Sequence, residues 1–81
     1  MVSNDLLSVP AGCGAEVLAL HVDGAMRRRL LDLGVTPGAR VDCLFAAPSG
    51  DPVAYLIRGA VVALRNADAA RISVGGAAPW A

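Results

Sequence analysis

The stretch RRRLLDLGVTPGARV, Arg27 to Val41, sets three consecutive arginines before a Leu-rich segment, a glycine and a Pro-Gly pair. It predicts a helix that ends at Gly34, a tight turn, and then a strand. Asp23 in DGAMRRRLLDLG stands where an N-cap belongs, and Gly34 supplies the C-terminal stop. At about 100° per residue, Met26, Leu30 and Leu33 fall on one narrow stripe that faces a core. Arg29 lies at the edge of that stripe, where its methylenes cover apolar surface and its guanidinium reaches water. Arg27 and Arg28 project outward, and Arg28 precedes Asp32 by four residues, an ion-pair spacing. Leu31 falls off the stripe on the arginine side, so the pattern predicts an exposed leucine beside Arg27 and Arg28. A Leu31→Asp change at such a position should leave folding intact.

Pro37 and Gly38 suit the second and third positions of a type II turn, the third requiring φ > 0. On either side of this segment the apolar residues alternate with a period of two. Ala15 to Val22 reads as a first strand, with Leu18, Leu20 and Val22 on one face and Val17, Ala19 and His21 on the other. After the turn, Val41, Cys43 and Phe45 alternate with Arg40, Asp42 and Leu44, and the first set is assigned to the core. Pro48 to Pro52 is a hairpin loop, Val53, Tyr55 and Ile57 mark a third strand, and a corner at Arg58-Gly59 leads into a fourth, Ala60 to Arg65. Asn66 is placed to cap one helical turn, and Arg71 to Val74 closes as a short fifth strand. Gly75-Gly76 and Pro79 argue that the fold ends near Val74, giving a domain over residues 1–76 and a tail over 77–81. The reading is mainly β: five short antiparallel strands closing as a small barrel, with one short helix between strands 1 and 2 and a helical turn before strand 5.

Composition narrows the function. The 81 residues are 56% hydrophobic, and seven arginines, with no lysine, balance seven carboxylates to a formal net charge of zero. Nucleic-acid binders draw their affinity from a basic excess that this chain lacks. Near-neutrality leaves self-association open. No segment reaches the ~20 apolar residues of a membrane span, and Val9 to Cys13 lacks the basic, apolar lead of a signal peptide; a cytoplasmic protein is expected. Cys13 and Cys43, with no CxxC spacing, read as small buried thiols, a disulfide or a metal pair being the alternatives. His21 is the single histidine, and its strand position suits an outward-facing or core-edge role rather than a general base. Without a nucleophile elbow or phosphate loop, no enzyme is expected. His21, Asp23, Asp32, Asp42 and the two thiols do not compose the imidazole-carboxylate set that Fe2+ favours, so no metal site and no cofactor are expected.

The residues carry a resemblance. Arg29-Leu30, Leu33-Gly34, Pro37-Gly38, Asp51-Pro52, Arg58-Gly59, Leu64-Arg65 and Ala69 with Ile72 resemble, in order and separation, the motif of the FeoA-type domain of bacterial ferrous-iron transport. The likeness runs from Leu6 to Val74. It implies an SH3-like barrel and an accessory protein that contacts the cytosolic GTP-binding domain of the FeoB transporter, peripheral to the inner membrane. Under that implication Leu31, Arg27 and Arg28 become the candidate partner-binding residues, since arginine and exposed apolar groups are the mixture found at interface hot spots. Arg58-Gly59 reads as structural. The alternatives are a small-barrel RNA- or DNA-binding module, opposed by the balanced charge, and a generic interaction module such as a polyproline-binding SH3 domain. The last would need an aromatic groove from Phe45, Tyr55 and Trp80.

Overall fold

The computed structural model describes residues 4–79. The helix α1, Gly24–Leu33, ends as the sequence predicts, with Gly34 at φ 100°. The Val35 N–H donates to the Leu30 carbonyl at 2.9 Å and the Gly34 N–H to the Leu31 carbonyl at 3.0 Å. This pair of bonds satisfies the last carbonyls of the helix and brings Val35 against Leu30, both fully buried. Asp23 occupies the N-cap position with extended backbone, but its side chain makes no capping hydrogen bond.

Among the described residues six strands form a single antiparallel sheet. They are β1 (Asn4–Asp5), β2 (Cys13–Leu20), β3 (Arg40–Ala46), β4 (Val53–Ile57), β5 (Ala60–Leu64) and β6 (Ile72–Pro79), with a helical turn α2 at Asn66–Ala69. The spatial order is β1-β6-β2-β3-β4-β5, so the last strand lies between the first two. The five expected strands are all present, with β1 as an addition. Leu6, just past β1, and Val62 and Leu64, at the far side of the sheet, belong to one buried cluster. The two ends of the sheet therefore curl around a common core.

Two β-bulges explain where simple alternation misassigns the faces. Ala15 and Val17 are buried, but the register shifts between Val17 and Ala19, after which Leu20 and Val22 are buried instead. Leu18, expected beside Leu20, is 54% exposed. A second shift between Cys43 and Phe45 leaves Val41 and Cys43 in the core and turns Phe45 out, 61% exposed. Each extra residue moves every later side chain to the opposite face. The last strand also runs further than expected. Rather than ending near Val74, β6 continues through residues 77–79, pairing Gly14 with Ala78 and Cys13 with Pro79. The expected tail is thus partly a strand, because β2 extends back to Cys13 and offers it a partner; Trp80 lies outside the described residues.

The helix is rotated relative to its expected setting. Leu30 alone is fully buried, and Met26, Leu33 and Leu31 are half-buried against the core on either side of it. Leu31 is therefore not the exposed leucine that the stripe predicted. Arg27 Nη1 donates to the Leu20 carbonyl at 3.3 Å, pinning the Leu31 side of the helix over the end of β2. Asn66 does not cap α2, since it is the first residue of that turn. Asp51 does so from the hairpin loop, accepting the Asn66 N–H at Oδ1 at 2.9 Å.

Candidate functional site

Two glycine turns stand side by side on the surface. In the first, the Ala39 N–H donates to the Thr36 carbonyl at 2.9 Å around Pro37 and Gly38, with Gly38 at φ 92°. This is the predicted type II turn. Its backbone is fastened to β2 by Gly38 N–H to the Val17 carbonyl at 2.7 Å and Val17 N–H to the Ala39 carbonyl at 2.8 Å. The second is the two-residue hairpin from β4 to β5. Arg58 at φ 50° and Gly59 at φ 79° give the left-handed pair of a type I′ turn, whose twist matches that of the strands.

Between the turns runs an open groove of about 600 Å3, lined among others by Pro37, Arg40, Asp42, Leu56 and Arg58. Arg40 Nε meets Asp42 Oδ1 at 3.0 Å, and the Asp42 side chain is the less exposed of the two. The pair lies across Gly14 of β2, where a Cβ would collide with Asp42 Oδ1. Arg58 folds its methylenes over Gly34, so that a Cβ there would lie 2.5 Å from Arg58 Cδ. Helix end and hairpin, like β2 and the Arg40–Asp42 pair, thereby meet across bare backbone. A smaller recess of about 220 Å3 opens between α1 and the end of β5, with Met26, Arg29, Leu30, Pro52, Leu64 and Arg65 in its walls.

The motif residues thus sort by place. Pro37, Gly38, Arg58 and Gly59 line the groove with Gly34 beneath it, Leu30, Pro52, Leu64 and Arg65 line the recess, and Asp51 caps α2. Leu33 is half-buried on the helix. The candidate binding residues Arg27, Arg28 and Leu31 line neither concavity. Arg28 is exposed, and the ion pair among the described residues is Arg40–Asp42, not the expected Arg28–Asp32. Arg40 and Leu56 were not singled out from sequence, and Asp42 was weighed only as a metal ligand and set aside. For Arg40 and Asp42 the signal was present in the outward set of the β3 alternation, but nothing local says that Leu56 of β4 and the Pro-Gly turn would fold beside them.

Tyr55 sits fully buried with its O–H donating to the Leu6 carbonyl at 3.4 Å. Burial pushes its phenol well above the usual range, with Cys43 and Asp5 adding to the effect. With Tyr55 inside and Phe45 outside, these two aromatics do not share a peptide groove. His21 Nε2 lies 2.6 Å from Ser73 Oγ on an exposed face. Among the described residues no three His, Cys, Asp or Glu side chains gather where they could hold a metal, and no helix is long and apolar enough to cross a membrane. What the groove offers chemically is guanidinium donors beside apolar surface.

The profile of the FeoA domain matches residues 5–75. The chain is 35% identical over 69 residues to the Fe(2+) transport protein A/Fe(2+) transporter FeoB fusion protein of Porphyromonas gingivalis, a match spanning 85% of this chain and 8% of that protein. The solution structure of the FeoA protein of Chlorobium tepidum superposes with a TM-score of 0.83 at 38% identity, covering 88% of this chain and 68% of that one. Stenotrophomonas maltophilia FeoA, solved with zinc and described as a prokaryotic SH3 domain protein, superposes with a TM-score of 0.74 at 29% identity, covering 93% and 91%. The SH3-like fold and the family resemblance read from sequence both agree with these likenesses.

Proposed function

The chain belongs to the FeoA domain family, and from that premise we propose that it is a non-enzymatic accessory protein of ferrous-iron uptake, docking on the cytosolic GTP-binding domain of a FeoB-type transporter at the cytoplasmic side of the membrane. The observation that carries the reading is the Porphyromonas gingivalis relative, in which a matching segment and a FeoB transporter share one polypeptide. Covalent linkage holds two partners at high effective concentration, an arrangement suited to domains that touch. The groove between the two glycine turns is the docking surface that the geometry favours over the helix face. It is concave, its arginines Arg40 and Arg58 flank apolar Pro37 and Leu56, and the turns that shape it are held in place.

Titration calorimetry of the purified chain against the FeoB cytosolic domain from the same source, with and without a non-hydrolysable GTP analogue, tests this. Saturable binding that changes with nucleotide is expected, and no heat at any nucleotide state overturns the docking. Arg58→Asn keeps a residue tolerant of positive φ and should weaken binding about tenfold or more by removing the guanidinium. Should Arg28→Glu abolish binding while Arg58→Asn does not, the helix face is the site instead.

A further inference from the structure

We propose that Cys13 and Cys43 are a reversible dithiol site, closing a cross-strand disulfide when a peroxide supplies the oxidant and opening again to a small thiol. Strands β2 and β3 pair Glu16 with Arg40, Ala15 with Val41 and Gly14 with Asp42. Beyond Gly14 and Asp42 the ladder ends in a bulge: the Gly12 N–H, at φ 89°, donates to the Cys43 carbonyl at 3.0 Å while the Cys13 N–H turns to the Pro10 carbonyl at 3.1 Å, so that Gly12 and Cys13 together stand opposite Cys43. Directly opposed residues project to the same face with Cα atoms about 4.5–5.5 Å apart, inside the roughly 4.4–6.8 Å that a disulfide spans. Both side chains pack on one core, Cys43 within it and Cys13 at its margin. Both are thiols in this structure.

Their unequal exposure assigns the order of events. Cys13 is half-buried and reachable, whereas Cys43 is only 4% exposed. Burial, and next the neighbouring Cys13, pushes the Cys43 thiol up, so that it stays protonated while Cys13 reacts. The Cys13 thiolate attacks one peroxide oxygen and the O–O bond breaks, leaving a sulfenic acid on Cys13 and, after protonation, one water. The Cys43 sulfur then displaces the hydroxyl from that sulfenic sulfur, and its proton leaves with the hydroxyl as a second water. Two thiols are oxidised by two electrons and one hydrogen peroxide is reduced. The bond would tie β2 to β3 on the inner side of the strands whose outer side carries Arg40 and Asp42, stiffening one wall of the groove. The proposal does not depend on docking to a transporter.

Stoichiometric hydrogen peroxide is added to the purified, reduced chain. Expected are loss of both titratable thiols, a mass loss of two hydrogens in the monomer, and, after tryptic digestion without reductant, a linked pair joining the Cys13 peptide that ends at Arg27 to Val41–Arg58. The oxidised monomer should melt about 10 °C or more higher, since the bond closes a loop of about 30 residues, and dithiothreitol should reverse every change. Cys13→Ala should leave Cys43 reduced under the same treatment. An overoxidised Cys13 beside an intact Cys43 thiol, or disulfide-linked dimers in place of the monomeric bridge, overturns the proposal.

Discussion

Gly34 carries two demands at once: a left-handed backbone and room for the Arg58 methylenes. Gly34→Ala should cost about 2 kcal/mol, of which the backbone strain alone accounts for roughly 1–2, read as a lower urea midpoint; Gly34→Asn should cost less. The first demand was legible in the sequence because helix stops and φ > 0 turns are local, as they are at Gly38 and Gly59. The second was not, because Arg58 lies far along the chain. Tyr55 gives a pH signature. Its folded pKa is raised by burial, so the stability of the neutral phenol is fully present below about pH 10, the ordinary tyrosine value, and drains away above it. Denaturant midpoints measured from pH 8 to pH 11 (a range set by the ordinary thiol and tyrosine values) should fall, first gently with Cys43, whose thiol is also raised, then steeply. Tyr55→Phe should remove the steep part while losing a long hydrogen bond at lower pH.

At the scale of elements, periodicity and turn signals found α1 and the strands β2 to β6 but missed β1 and erred on phase. A one-residue bulge depends on which cross-strand bonds a neighbour offers, and that neighbour is remote in sequence, so the switch from Val17 to Leu20 and the exit of Phe45 left no local mark. The setting of α1 was misjudged for a related reason, since the bond from Arg27 to the Leu20 carbonyl belongs to the packing of helix on strand. Leu31→Asp should therefore destabilise the fold, by about 1–3 kcal/mol, rather than leave it intact; circular dichroism melting decides. The turn α2 owes its start to Asp51, so Asp51→Ala should cost about 1 kcal/mol, whereas an Asn66→Ala change spares that capping bond and loses only its contact with the Gly50 carbonyl.

Taken as a molecule, the fold class was readable because short alternating strands and tight turns leave few arrangements other than a closed antiparallel sheet. The groove was not, since it is assembled from the turn before β3, the face of β3 and the hairpin after β4. Nor was the extent of β6, which the glycines and proline of its sequence concealed. Ending the chain after Val74 removes the pairings of Glu16 with Gly75, Gly14 with Ala78 and Cys13 with Pro79, and should lower stability by about 1 kcal/mol, with faster amide exchange along residues 13–16.

Because β6 is seated between β1 and β2, the strand that joins the two earliest ones is the last of them to leave the ribosome. Until it emerges, β1 has no neighbour in the sheet and β2 has one flank uncovered. A nascent chain halted before Ile72 would thus present an open backbone ladder to whatever chaperone waits at the exit, and the sheet can close only once residues 72–79 have emerged.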